Sequence, residues 1–264
     1  LKESPMHSWQ FYSLETLLSL PFNRILKDES DLFRVRKLFE TLTSKYTHPS
    51  INWRPLKMGK IPAEVHTPQN GNFSSVTLYL HGGGYFMGSP QTHRSYLSYF
   101  SHLTNSRVYV IDYRLAPEHP FPSALQDAVA AYNWLLDIYH PQEIIIAGES
   151  AGGGLTLATL GVLKSAKTPL PSAAVCISPW TDLALTGDTL EENKRKDSLV
   201  PVEVLPFVAK SYLKNISPHE PLASPLYADL KGYPPLYLQV SNSEVFLSDA
   251  LRLAQKAEEQ GVKV

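Results

Sequence analysis

The chain has 264 residues, 43% of them hydrophobic, which is enough for a packed core in one large or two small domains and excludes disordered and collagen-like polymers. Its 24 Lys and Arg against 25 Asp and Glu give a formal charge of −1, so no cationic excess exists to attract nucleic acid or an acidic lipid surface. The single cysteine, Cys176, excludes an internal disulfide and any multi-cysteine metal site, and its apolar setting AAVCIS reads as a buried, inert thiol.

Taken in chain order, the pattern starts with a helix. From Pro21 to Tyr46 the residues Leu32, Phe33, Val35, Leu38, Phe39 and Leu42 recur at helical spacing between charged positions, which predicts an amphipathic helical segment. Residues 47–72 are polar and contain proline, with room for an edge strand or two around Ala63 to Thr67. Short apolar runs follow at 76–80, 107–112, 143–148, 173–178 and 235–240, of strand length and apolar throughout. Between them, 91–105, 122–139, 151–166 and 248–260 carry helical patterns. Strands alternating with helices predict an α/β fold, a mostly parallel sheet covered on both faces. Residues 183–225 break the alternation and predict an excursion off the sheet, which with the N-terminal helices would form a cap. No apolar run approaches the roughly eighteen residues of a membrane span.

Two segments carry chemistry. In EIIIAGESAGGG an apolar strand runs into Gly148-Glu149-Ser150-Ala151-Gly152 and a helix of small residues follows at once. Such a turn lifts the Ser150 hydroxyl clear of the sheet and sets the Ala151 amide at a helix N-terminus, where unpaired N–H groups face developing negative charge. A bare GxSxG also occurs as an ordinary turn serine. The second segment, His81-Gly82-Gly83-Gly84, follows the strand VTLYL and leaves successive amides unshielded by side chains. A phosphate-cradling loop is the alternative, but the Gly-Lys-Ser/Thr it needs is absent.

HGGG and GESAG in this order, with DYRLAPEHPFPSALQD (112–127) and SPWTDL (178–183), make the chain from about Ser75 to Val264 resemble the hormone-sensitive-lipase-like esterases of the α/β-hydrolase fold. The resemblance implies that Ser150 is the nucleophile and that the Gly83, Gly84 and Ala151 amides form an oxyanion hole, with no cofactor and no metal. It divides the chain into N-terminal cap helices at 1–50 and a hydrolase core at 51–264 carrying a cap insertion at about 183–225. Glu149 stands where the family more often has Asp, and Ser241 where it usually has Gly. For the triad acid, Glu244 and Asp249 are both available, and gap-free placement of the following helix favours Glu244. The family's histidine lies beyond the acid, past Val264. His219 is the only histidine after Ser150, and recruiting it would reverse the Ser, acid, His order. The expectation is therefore a fragment, cut at both ends and lacking its final strand and helix, impaired for want of a general base.

Other residues have plainer readings. His81 holds its loop by bonding backbone, and His93 and His102 serve surface or core packing. Asp112, Arg114, Glu118 and Asp127 form a buried network bracing the loop beside the nucleophile, and Trp180 and Asp182 are structural. Tyr85, Phe86, Met87, Phe207, Val208 and Tyr212 either line an acyl pocket or belong to the core. The function expected is hydrolysis of a small-molecule carboxylic ester of short to medium acyl chain. A hydrolase-fold binding protein without turnover, and an amidase or deacetylase, are the alternatives.

Overall fold

Helix α1 (Glu29–Leu42) begins where Asp28 caps it: the Asp28 carboxylate accepts from the Ser30 amide at 2.8 Å, and Asp31 accepts from the Asp28 amide at 3.2 Å. It buries Leu32 and Val35. The computed structural model describes residues 28–43 and 46–264, so the first part of the expected N-terminal segment lies outside the described residues.

Strands β1 (Ile51–Met58) and β2 (Ile61–Pro68) form an antiparallel hairpin, with Ile51 opposite Pro68 and Met58 opposite Ile61. The strand expected at an edge around Ala63 to Thr67 is an interior one, since β2 also pairs with β4 (Ser106–Ile111). The outer position belongs to β1, most of whose side chains are exposed. That exposure removes the apolar run by which a strand is read, and Pro55 is tolerated there because one side of the strand needs no ladder donor.

The remaining strands sit at the apolar runs: β3 (Ser75–Leu80), β5 (Ile144–Glu149), β6 (Ala173–Ile177) and β7 (Leu236–Gln239). The sheet order is β1-β2-β4-β3-β5-β6-β7, with every pair from β4 onward parallel. Parallel neighbours need crossovers. Helices α2 (Pro90–Thr104), α3 (Ser123–Leu136) and α4 (Ala151–Ser165) supply them. Ser89 starts α2 by accepting from the Thr92 amide, with Pro90 at its first position. After β6 the chain leaves the sheet through the short helix α5 (Thr189–Glu192) and α6 (Leu205–Leu213), then returns to β7 and ends with α7 (Leu247–Glu259).

Helix α4 is apolar on all sides and almost wholly buried, so it occupies the centre of the molecule rather than its rim. Its first turn presses on the C-terminal end of β3, where the backbone of Gly152 lies against the Leu80 carbonyl in a space no Cβ could share. This contact sets the turn after β5 beside the loop after β3. Both open at the carboxyl edge of the sheet, where parallel α/β folds place their sites.

Gly152→Ala should therefore destabilise the protein by about 3 kcal/mol or more, since both colliding groups are backbone and neither can turn away. Urea unfolding of the purified variant measures it.

Candidate active site

Ser150 takes φ 53° and ψ −122° in the turn between β5 and α4. A non-glycine residue held there costs on the order of 1–3 kcal/mol and persists only where its surroundings over-determine it. They do so here through the backbone. The Ser150 amide donates to the Ile177 carbonyl at 2.9 Å, and its own carbonyl accepts from the amides of Gly153 at 3.0 Å, Gly154 at 3.2 Å and Trp180 at 3.0 Å. The side chain is half-buried and borders a cavity.

Across that cavity lies the loop after β3. Gly83 sits at φ 116°, and a side chain there would strike the Met87 carbonyl. Its carbonyl accepts from the Phe86 and Met87 amides at 3.1 and 3.0 Å, closing a tight helical turn. Among the described residues the Gly83 and Gly84 amides donate to no other group. Ala151, the first residue of α4, has no carbonyl a turn behind it to accept its N–H.

His81 anchors this loop from below. It is buried, donates from Nδ1 to the Gly82 carbonyl at 2.8 Å and stacks on Tyr113 with ring centres 4.1 Å apart. Burial first, then the neighbouring His93, pushes its pKa down to about 3, so the ring is neutral.

The cavity measures about 150 Å³ and is lined by Gly83, Gly84, Phe86, Met87, Ser150, Trp180, Leu199, Val200, Pro201, Val204, Leu205, Val208 and Phe246. Phe86, Met87 and Val208 thus belong to the pocket. Tyr85 and Tyr212 instead stack on each other at 3.8 Å inside the core, and Phe207 packs beside the core without lining the cavity. Trp180, read from sequence as structural, contributes to the wall, as does Phe246, 5.7 Å away in a stacked pair. No spacing rule links residues 180, 204 and 246, which only the excursion after β6 brings together.

The two candidate acids separate clearly. Glu244 lies half-buried in the turn between β7 and α7, its carboxylate accepting from the Ser241 amide at 2.8 Å. Asp249 is buried in the first turn of α7, and one of its oxygens accepts from the Thr181 and Asp182 amides at 2.8 and 2.9 Å. Asp249 therefore pins the segment that carries Trp180. Burial pushes its pKa up to about 7 despite those amides.

The network predicted around the DYRLAPE stretch divides in two. Arg114 pairs with Asp127 at 2.9 Å in a partly exposed position, where such a pair contributes little, about 0–1 kcal/mol. Glu118 turns to Arg36 of α1, at 2.6 Å. Arg36 also donates to the Phe86 carbonyl at 2.7 Å and the Ala116 carbonyl at 2.8 Å, tying α1 to the cavity rim. Asp112 joins neither pair, and its carboxyl is raised by burial and by Glu40 and Glu64. His93 does more than pack, since its Nε2 lies 2.8 Å from the Glu149 carboxylate. His219 sits against Tyr227, ring centres 4.8 Å apart, and does not border the cavity. Cys176 is buried, its thiol pushed up to about 12. Among the described residues, no group of three or more His, Cys, Asp or Glu could hold a metal ion, and no helix is long and apolar enough to cross a membrane.

Comparison with known proteins agrees with the fold. The profile of a family described as having the alpha/beta hydrolase fold matches residues 77–264. The chain is 47% identical over 188 residues to an acetyl-hydrolase of Streptomyces hygroscopicus, covering 71% of this chain and 63% of that protein. It is 34% identical over 259 residues to an esterase of Acinetobacter venetianus, covering 97% and 85%. Among solved structures, an esterase from the bacterial hormone-sensitive lipase family superposes with a TM-score of 0.88 at 40% identity, over 99% of this chain and 86% of that one. The esterase EstE5, soaked with p-nitrophenyl butyrate, does so with a TM-score of 0.88 at 37% identity, over 99% and 86%.

The Asp249 geometry sets a dependence of stability on pH. A carboxyl that holds its proton to about pH 7 when folded and to roughly pH 4 when unfolded contributes stability that is full below pH 4 and lost as pH rises through 7. Asp249→Asn keeps an acceptor for both amides and has no proton to lose. Its melting temperature relative to the parent should rise from pH 5 to about pH 7 and level off above that, as thermal melts at each pH would measure.

Proposed function

We propose that this chain, which belongs to the α/β-hydrolase family and within it to the bacterial hormone-sensitive-lipase-like esterases, hydrolyses carboxylic esters through an acyl-enzyme on Ser150. One observation carries the reading: Ser150 lines the same small cavity as Gly83 and Gly84, whose amides donate to no group among the described residues. Attack by the hydroxyl on an ester carbonyl would develop negative charge on the carbonyl oxygen, and the Gly83, Gly84 and Ala151 amides would receive it. Such donors are fixed before the reaction begins and need no reorganisation as charge develops.

Glu244 is the triad acid in this proposal. Its favour over Asp249 rests on engagement, because an Asp249 oxygen already holds two buried backbone amides whereas Glu244 accepts from one amide in an open turn. The family order Ser, acid, His calls for a histidine as general base, and His219 does not fill that role, because it precedes Glu244 and does not border the cavity. The excursion after β6 and α1 act as the cap, since the former supplies Val204, Leu205 and Val208 to the cavity wall and the latter is clamped to its rim through Arg36.

Cavity size sets the acyl group. A space of about 150 Å³ lined by apolar side chains accommodates about one benzene ring, and a short acyl chain fits that volume. Ordinary ester hydrolysis needs no cofactor. The p-nitrophenyl butyrate soaked into EstE5 is an ester of this class, although it speaks for that protein alone.

In the full-length protein, p-nitrophenyl butyrate should be hydrolysed faster than the palmitate. Ser150→Ala should lower kcat by at least about 10³-fold and abolish labelling by a fluorophosphonate probe. Glu244→Gln should lower kcat far more than Asp249→Asn, measured side by side. A folded parent whose Ser150 takes no probe would exclude the acyl-enzyme.

A further inference from the structure

Glu149 comes immediately before the candidate nucleophile and is not among the residues that line the cavity. Its carboxylate spans three elements: it begins at the end of β5, accepts a short hydrogen bond from the Gly82 amide in the loop after β3, and pairs with His93 on the first turns of α2. Gly82 has no space for a side chain, because a Cβ there would meet this same carboxylate. Gly82 is held at both ends, its amide by Glu149 and its carbonyl by His81 Nδ1 at 2.8 Å, so the peptide that leads into Gly83 is anchored.

From this geometry we infer that Glu149 and His93 are positioning residues, a charged pair that tethers the glycine loop to the serine turn and holds the Gly83 and Gly84 amides aimed at the cavity. The inference rests on the esterase reading above and adds how its oxyanion hole is kept formed. The His93 Nδ1 side of the ring is held by α2 itself, within 3.2 Å of the Ser89 carbonyl, so the imidazole is fixed at both ends. His93 also closes the loop in sequence, since the glycine segment runs straight into the Ser89 cap of α2.

The charges around the pair are few. From β3 the Tyr79 hydroxyl faces the carboxylate; His81, neutral, stacks 5.2 Å from His93; Tyr96 approaches from α2, and Tyr113 packs on His81 from the segment after β4. None of these is cationic at neutral pH, so His93 is the counter-charge of Glu149. Burial pulls the His93 pKa down and the carboxylate more than reverses this, leaving it above the ordinary histidine value. Burial likewise pushes Glu149 up, and His93 brings it below the ordinary glutamate value. As pH rises past the raised His93 pKa, the imidazole loses its proton, Glu149 loses its counter-charge and the tether weakens.

The test uses the full-length protein, with kcat and KM for p-nitrophenyl butyrate from pH 6 to pH 10 and hydrogen exchange of residues 82–84. Glu149→Ala should lower kcat about 10- to 100-fold with KM changed less than about twofold, since misaimed donors cost transition-state binding and spare the acyl pocket. Glu149→Gln, which keeps an acceptor for Gly82, should recover most of kcat at pH 7 but lose the alkaline decline in kcat, and His93→Gln should lose the same decline. Glu149→Ala should speed exchange at Gly82 and Glu149→Gln should leave it close to the parent at pH 7, with circular dichroism melts verifying that each variant is folded. A folded Glu149→Ala with kcat within twofold of the parent, or an alkaline decline that survives in both Glu149→Gln and His93→Gln, overturns the tether. A parent with no hydrolysis and no probe on Ser150 would overturn the esterase reading instead, and exchange at Gly82 would still decide whether the pair holds the loop.

Discussion

The contact on which the rest of the molecule depends is between two stretches of backbone, the first turn of α4 and the end of β3. Gly152 has no side chain to hold the two apart, and its backbone lies against the Leu80 carbonyl. That approach makes the turn carrying Ser150 so sharp that its residue takes φ 53°, and it brings the loop after β3 alongside. Strain at Ser150 is balanced by four backbone hydrogen bonds made by that one residue. The site is a by-product of close packing, and its geometry is as rigid as the core beneath it.

Most of the parallel sheet and its crossover helices were legible in the sequence, because the central strands β3, β4 and β5 are buried nearly throughout, β6 and β7 keep short apolar runs, and each crossover helix has a continuous apolar side. The two glycine-containing turns were legible for a related reason: their residue types are dictated by backbone geometry within a few positions. What was not legible depends on distance along the chain. β1 carries exposed side chains on an outer strand, so periodicity marks it poorly, and β2 was placed at the edge because its partner on that side was invisible. The cavity wall formed by Trp180, Val204, Leu205 and Phe246 comes from three separate segments. Tyr85 and Tyr212 could not be told from pocket residues until their stacked rings were seen to fill the core.

The charged residues repeat this lesson. Arg114 and Asp127, thirteen positions apart, are two of the four residues read from sequence as one network, and they do bond to each other. Glu118 finds Arg36, eighty-two positions upstream, and His93 finds Glu149 from a different layer of the fold. For Glu118 the sequence reading expected a partner among its near neighbours, and for His93 it expected only packing. Buried or half-buried charge requires compensation, but the requirement says nothing about which part of the chain supplies it.

Arg36 has a consequence beyond the ion pair it forms. One guanidinium group holds the Phe86 carbonyl at the cavity rim, the Ala116 carbonyl beside it and the Glu118 carboxylate, while its backbone belongs to α1. Docking of α1 and the shape of the rim are therefore linked quantities, and linkage runs equally in both directions. Whatever molecule draws the rim tighter around itself also strengthens the grip on α1 by the same free energy, so the occupant of the pocket helps to fasten the element that shelters it.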